Sequence, residues 1–195
     1  KSPLRSRKER TFLKPTPMKI GIFCSANSAI APEYFEKTEA LGTWIAGEGH
    51  AIVFGGCNLG LMECIARAVH QGGGTTIGVV PTIIEKSGRV SDYVDVHIAC
   101  DNLSDRKDLI LLHSDVLIAL PGGIGTLDEV FTVAAAHTIG YHSKPVVLYN
   151  IGGFFNSLIA LLDDLQGRGM MRGSWREHIA VADTLDDVKK IISNH

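Results

Sequence analysis

Cysteine is sparse in this 195-residue chain: Cys24, Cys57, Cys64 and Cys100 stand far apart, with no C-x-x-C pair. That spacing argues against a disulfide framework and suits a reducing cytoplasm. The eight histidines include no H-E-x-x-H. His137 and His142 are five residues apart, which does not put both on one helix face, so no structural metal is expected. With two Trp, four Tyr and an acidic body, the chain lacks the basic, aromatic-studded surface of a nucleic-acid binder. The basic head, residues 1–17, contains no apolar run long enough for a signal peptide or a membrane span.

What is present is an ordinary globular composition, 45% hydrophobic and 21% charged, enough to close one sizeable core. The net charge of −2 is unevenly spread. Residues 1–17 hold six Lys/Arg and one Glu, giving +5, while thirteen basic and twenty acidic residues give the remainder −7. The head reads as an added or upstream extension, a solvated tail or a basic arm, and residues 18–195 read as one domain.

Short apolar runs recur at Lys19–Cys24, Ala51–Phe54, Thr76–Val80, Val94–Ala99, Val116–Leu120 and Pro145–Tyr149. Between most of them lie helical patterns: one starting at Pro32 and stopping at Gly47, then Gly60–Gln71, Asn102–His113, Thr126–His137 and Phe154–Leu165, with a last at Leu185–Ser193 behind Asp183 or Thr184. Runs such as VLIAL and VVLY are apolar at every position, as strands covered on both faces must be. The expected fold class is therefore α/β, a Rossmann-like three-layer sandwich with a mostly parallel sheet. In such sheets ligands bind beyond the carboxyl ends of the strands.

Two strand-to-helix turns are glycine-rich, Gly55–Met62 (GGCNLGLM) and Pro121–Glu129 (PGGIGTLDE). Free amides at a helix start, with the dipole behind them, favour a phosphate. The first turn is not a Walker A loop, since Leu61 and Met62 stand where Lys and a hydroxyl residue belong. Nor is it a dinucleotide fingerprint, since Cys57 replaces the second glycine. Tight packing and ligand contact both remain open for Gly55 and Gly60. In the second turn a capping box of Thr126 and Glu129 would need no ligand. Three glycines, Gly122, Gly123 and Gly125, exceed what a helix start requires. Asp128 and Glu129 would repel a phosphate unless they address another part of the ligand, such as a sugar developing positive charge. Arg106 and Lys107 lie near the start of the third helix, where cations oppose the dipole and so suggest another use.

P-G-G-x-G-T-x-x-E, the upstream Arg106–Lys107 pair, G-G-x-x-x-G-L-M at Gly55–Met62 and G-x-H-x-K-P at Gly140–Pro145 together resemble the LONELY GUY family. Its members are cytokinin riboside 5′-monophosphate phosphoribohydrolases, long mislabelled as lysine decarboxylases. The resemblance implies a homodimer that cleaves the N-glycosidic bond of a nucleoside 5′-monophosphate without a cofactor. It implies Arg106 and Glu129 as the catalytic pair, with the phosphate on Gly122, Gly123, Gly125 and Thr126. Lys107 and Asp128 would help place the ribose phosphate, and Glu85 would contact substrate. Glu63, Leu103, Ile124, Ala135 and Ala136 depart from the family pattern at the pocket wall, so AMP is as good a candidate substrate as a cytokinin precursor. A non-catalytic nucleotide or cofactor carrier on the same fold is the alternative. A pyridoxal-phosphate decarboxylase would need a lysine in a Schiff-base context, and none is recognisable.

Overall fold

A computed structural model describes residues 16–195. The expected basic tail therefore lies outside the described residues except for Thr16 and Pro17, which are exposed coil. Seven strands form one all-parallel sheet: β1 (Lys19–Phe23), β2 (Ala51–Phe54), β3 (Thr75–Pro81), β4 (Val96–Cys100), β5 (Val116–Ala119), β6 (Val146–Tyr149) and β7 (Ile179–Ala182), in the order β4-β3-β2-β1-β5-β6-β7. The helices are α1 (Pro32–Gly47), α2 (Gly60–Gln71), α3 (Thr82–Lys86), α4 (Leu103–His113), α5 (Ile124–Thr138), α6 (Asn156–Gly167) and α7 (Leu185–Ser193).

Alternation along the central strands sorts the core into two layers. Ile20 and Ile22 of β1 and Val116 and Ile118 of β5 pack with Leu41 and Ile45 of α1, Ile65 and Val69 of α2, and Val188 and Ile192 of α7. Phe23, Leu117 and Ala119 face the other way, onto Ile110 of α4, Val130 and Val133 of α5, and Leu162 of α6. Helices thus cover both faces, the arrangement the continuous apolar runs demand. Among the described residues no helix is long and apolar enough to cross a membrane.

The structure adds a strand, a short α-helix and two 3-10 turns (Ile151–Gly153 and Trp175–Glu177) to the expected series, and shifts others by up to two residues. β7 is a four-residue edge strand, IAVA, and α3 is five residues long. Both are too short to show a period. β4 begins at Val96, two residues later than expected. Asp95 is drawn back to β3, where its carboxylate accepts from Thr76 N at 2.9 Å and Thr76 Oγ1 at 3.0 Å, so Val94 belongs to the turn.

Cap chemistry fixes the start of α4. The Asn102 side chain accepts from Ser104 N at 2.9 Å and Asp105 N at 3.0 Å, satisfying two amides that the helix cannot. Asn102→Ala is expected to cost ~1 kcal/mol, read as a lower urea midpoint with an unchanged slope. The chain reverses its winding between β1 and β5, which pair with each other although three strands separate them in sequence. The crevice at their carboxyl ends is the place where this class of sheet binds ligands.

Candidate active site

The turn from β5 into α5 forms one wall of that crevice. Its helix starts at Ile124, with Gly123 as N-cap and no side-chain cap. This corrects the expected capping box: Thr126 lies inside the first turn, 3% exposed, and caps nothing. Gly122 explains the change. A Cβ at that position would lie 2.0 Å from Thr126 Oγ1 and 2.6 Å from its Cβ, so only glycine lets the threonine tuck beneath the turn. Helical bonding begins with Leu127 N donating to Gly123 O at 3.1 Å, which leaves the amides of Ile124, Gly125 and Thr126 without a backbone acceptor among the described residues. A Cβ on Gly123 or Gly125 would meet nothing within 4 Å. Neither has positive φ. These two glycines are required neither by packing nor by backbone conformation, and they leave the amides open to an approaching anion.

The first glycine turn serves a different purpose. Arg106 lies under the carboxyl ends of β2 and β3, where its Nη2 donates to Gly55 O at 2.8 Å and its Nε to Val79 O at 3.3 Å. A Cβ on Gly55 would fall 1.6 Å from Nη2, so this glycine makes the seat for the guanidinium. Gly60 has φ +57°, and a Cβ there would stand 2.5 Å from the Ala26 backbone. It allows the start of α2 to press on the loop after β1, with Leu61 N donating to Ser25 O at 2.9 Å. For these two positions, tight packing accounts for the glycine.

Glu129 sits one residue past Asp128 on α5, and burial raises its carboxyl from the ordinary 4.5 to about 7. Arg106 and Lys107 oppose the rise and Asp128 adds to it. The fully buried Cys24, at the end of β1, is pushed well up by burial and further by the charge of Glu129. Strand β1, helix α4 and helix α5 thus converge on one carboxyl group. Lys107 is tied to α5: its Nζ lies 3.1 and 2.9 Å from the two oxygens of Asp128 and 3.1 Å from Thr132 Oγ1.

The structure therefore brings Arg106, Lys107, Asp128 and Glu129 together beside Gly122–Thr126. Glu85 stands apart on α3, exposed, after β3, which is separated from the β1–β5 crevice by β2. Its segment is tied to the first glycine turn by Asn58 N donating to Arg89 O at 3.0 Å and Ser91 N to Gly56 O at 2.9 Å. Sequence reading missed Cys24 and Thr132. The i, i+4 spacing of Asp128 and Thr132 was the available signal for the second; Cys24 had none. His137 and His142 do meet, across a turn, with ring centroids 5.5 Å apart, and His178 approaches His137 at 4.6 Å. Among the described residues no group of three or more His, Cys, Asp or Glu could hold a metal ion. A cavity of about 730 Å³ lined by Met18, His50 and Asp115 opens at the amino edge of β1 and β5, away from these groups.

The family model described as "Possible lysine decarboxylase" matches residues 62–192. A cytokinin riboside 5′-monophosphate phosphoribohydrolase of Arabidopsis thaliana is 32% identical over 177 residues, 91% of this chain and 82% of its own length. The chain belongs to the LONELY GUY family. A Mycobacterium tuberculosis protein of the same name is 33% identical over 168 residues, covering 86% of this LONELY GUY chain and 89% of its own. Among solved structures, a molybdenum cofactor carrier protein from Chlamydomonas reinhardtii superposes with a TM-score of 0.71 at 27% identity, covering 92% of this chain and 98% of its own. A molybdenum cofactor binding protein from Rippkaea orientalis gives 0.70 at 26%, with the same coverage. The LONELY GUY fold therefore carries both hydrolases and cofactor carriers among its relatives.

Proposed function

We propose that this chain hydrolyses the N-glycosidic bond of a nucleoside 5′-monophosphate, AMP or a cytokinin riboside monophosphate, to a free base and ribose 5-phosphate. The observation that carries the reading is Glu129: a half-buried carboxyl, largely desolvated, beside a seated arginine, one helical turn past an uncapped, glycine-opened helix start. The 5′-phosphate lies on the amides of Gly123, Ile124, Gly125 and Thr126, close to the dipole's positive end. The pentose then extends along α5 toward Asp128 and Glu129.

Breaking a ribosyl C–N bond builds positive charge on the ring, which a carboxylate at that position stabilises as it orients water. The water oxygen bonds to C1′, the C–N pair leaves with the base, and the proton lost by water ends on the base. Arg106 holds its guanidinium across the carboxyl ends of β2 and β3, close enough to Glu129 for its charge to oppose the rise of that carboxyl. Asp128, 56% exposed at its side chain, contacts a ribose hydroxyl. Glu85 contacts the substrate only if α3 moves toward the crevice on binding. The working unit is a homodimer in the cytoplasm, and light scattering measures its oligomeric state.

Incubation with AMP and with isopentenyladenosine monophosphate should release free base. The pH dependence follows from the raised Glu129 carboxyl. Its ionised form is the active one, so kcat/KM, which reports the free enzyme, should fall about tenfold per pH unit well below about 7 and level off above it. The substrate phosphate, which titrates near pH ~6, adds its own limb to the kcat/KM profile, whereas kcat reports the carboxyl in the complex. The carrier reading, favoured by the two molybdenum-cofactor neighbours, predicts instead that a mononucleotide is bound and recovered intact.

A further inference from the structure

Lys107 follows Arg106 on α4, and its ammonium has three protons to donate. All three have acceptors: Asp128 Oδ1 at 3.1 Å, Asp128 Oδ2 at 2.9 Å and Thr132 Oγ1 at 3.1 Å. The threonine is oriented for this. Its own proton goes to Asp128 O at 2.7 Å, which turns its lone pairs toward Lys107. Asp128 and Thr132 stand four residues apart on α5 and so present one face to α4. The Lys107 side chain is only 20% exposed. A phosphate could bond this ammonium only by displacing an ion pair that is already bidentate.

We propose that Lys107 is a positioning residue for Glu129, clamped across the α4–α5 seam by Asp128 and Thr132, and not a ligand for the nucleotide phosphate. The proposal deepens the hydrolase reading and rests on it. Two consequences come from the geometry. The clamp fixes α5 against α4, and so sets Glu129 relative to Arg106, since each catalytic residue adjoins a clamp residue in sequence. It also fixes a positive charge beside Glu129. The groups facing that carboxyl are Arg106 and Lys107 from α4, Asp128 from its own helix and the Cys24 thiol from β1. Without Lys107, Asp128 stands unopposed and Glu129 holds its proton more tightly. Thr132 completes the clamp, because loss of its hydroxyl frees one ammonium proton and lets the lysine swing.

The test compares wild type with Lys107→Met, Thr132→Val and Thr132→Ser by two measurements. One is the pH profile of kcat and KM for AMP hydrolysis. The other is a carboxyl-carbon NMR titration of Glu129, its resonance identified by its loss in Glu129→Gln, which needs no substrate. Lys107→Met is expected to move both titrations up by about one pH unit, the scale for removing one nearby opposite charge. It should lower kcat at pH 7 several-fold with KM within twofold of wild type. Thr132→Val should shift both in the same direction by less, and Thr132→Ser should restore them.

An unmoved NMR titration in Lys107→Met overturns the clamp. So does a KM raised tenfold or more with the pH profile in place, the signature of a lost phosphate ligand. A wild-type protein that releases no base, but whose Glu129 titration moves in Lys107→Met, overturns the hydrolase reading and leaves the clamp standing.

Discussion

Glu129→Gln is expected to cut release of free base from a nucleoside monophosphate by at least ~100-fold, the usual scale for a catalytic acid or base. Gln keeps the size and the hydrogen-bonding reach of the side chain and removes only its charge, so the loss falls on kcat and leaves binding near that of wild type. The same substitution should stabilise the fold, and the sign can be worked through. Folding raises the carboxyl from 4.5 to about 7, so the folded state binds this proton more tightly than the unfolded chain does. Below pH 4 both states are protonated and the residue costs nothing. As pH rises through this interval the unfolded chain ionises first, and stability falls by up to ~3 kcal/mol above pH 7. Urea unfolding at pH 8 should therefore show Glu129→Gln more stable than wild type, and at pH 4 the two should agree. Activity retained together with unchanged stability at pH 8 would remove Glu129 from the mechanism and from the buried position at once.

Gly55→Ala should be nearly as damaging to turnover as Arg106→Ala, about 100-fold, although residue 55 carries no functional group. Its Cβ would lie 1.6 Å from Arg106 Nη2 and 2.6 Å from Cζ, so the guanidinium must leave its seat and give up its bond to Gly55 O. The obstacle is the far end of a flexible side chain, and Gly55 does not have positive φ. The fold should therefore survive, with a loss of roughly 1–2 kcal/mol for the displaced charged hydrogen bond. A large kinetic defect on a modestly weakened fold is the expected pattern, measured by steady-state kinetics beside urea titration. Wild-type turnover in Gly55→Ala would mean that Arg106 works equally well away from this seat.

Much of this molecule was legible in its chain. The VLIAL and VVLY runs announced doubly covered strands, and α2 and α7 begin and end where the glycines, caps and apolar spacing put them. The family motif singled out the turn after β5, where the sheet reverses its winding. The capping reading of that turn failed for a specific reason. Thr126-Leu127-Asp128-Glu129 and Thr184-Leu185-Asp186-Asp187 are almost the same tetrapeptide. The second forms a true capping box, with Asp187 N donating to Thr184 Oγ1 at 3.2 Å and Thr184 N to Asp187 Oδ2 at 3.1 Å. In the first, Gly122 lets the cap fall three residues earlier, at Gly123, and draws the threonine into the turn, so that Glu129 is left for the crevice.

Periodicity and composition by themselves determined the layers, the parallel sheet and the edge at which a ligand binds, because burial on both faces is written into every residue of a covered strand. Which side chains meet at that edge was decided by tertiary structure alone. Arg106 and Gly55 are 51 residues apart, and Lys107 and Thr132 are 25 apart. No local pattern encodes a contact between elements that only the crossing of α4 beneath the sheet brings within bonding distance. The proton affinity of Glu129 has mainly the same origin, since burial, its largest cause, comes from what the whole fold stacks around the carboxyl, and only the smaller push of Asp128 comes from a neighbour along the chain.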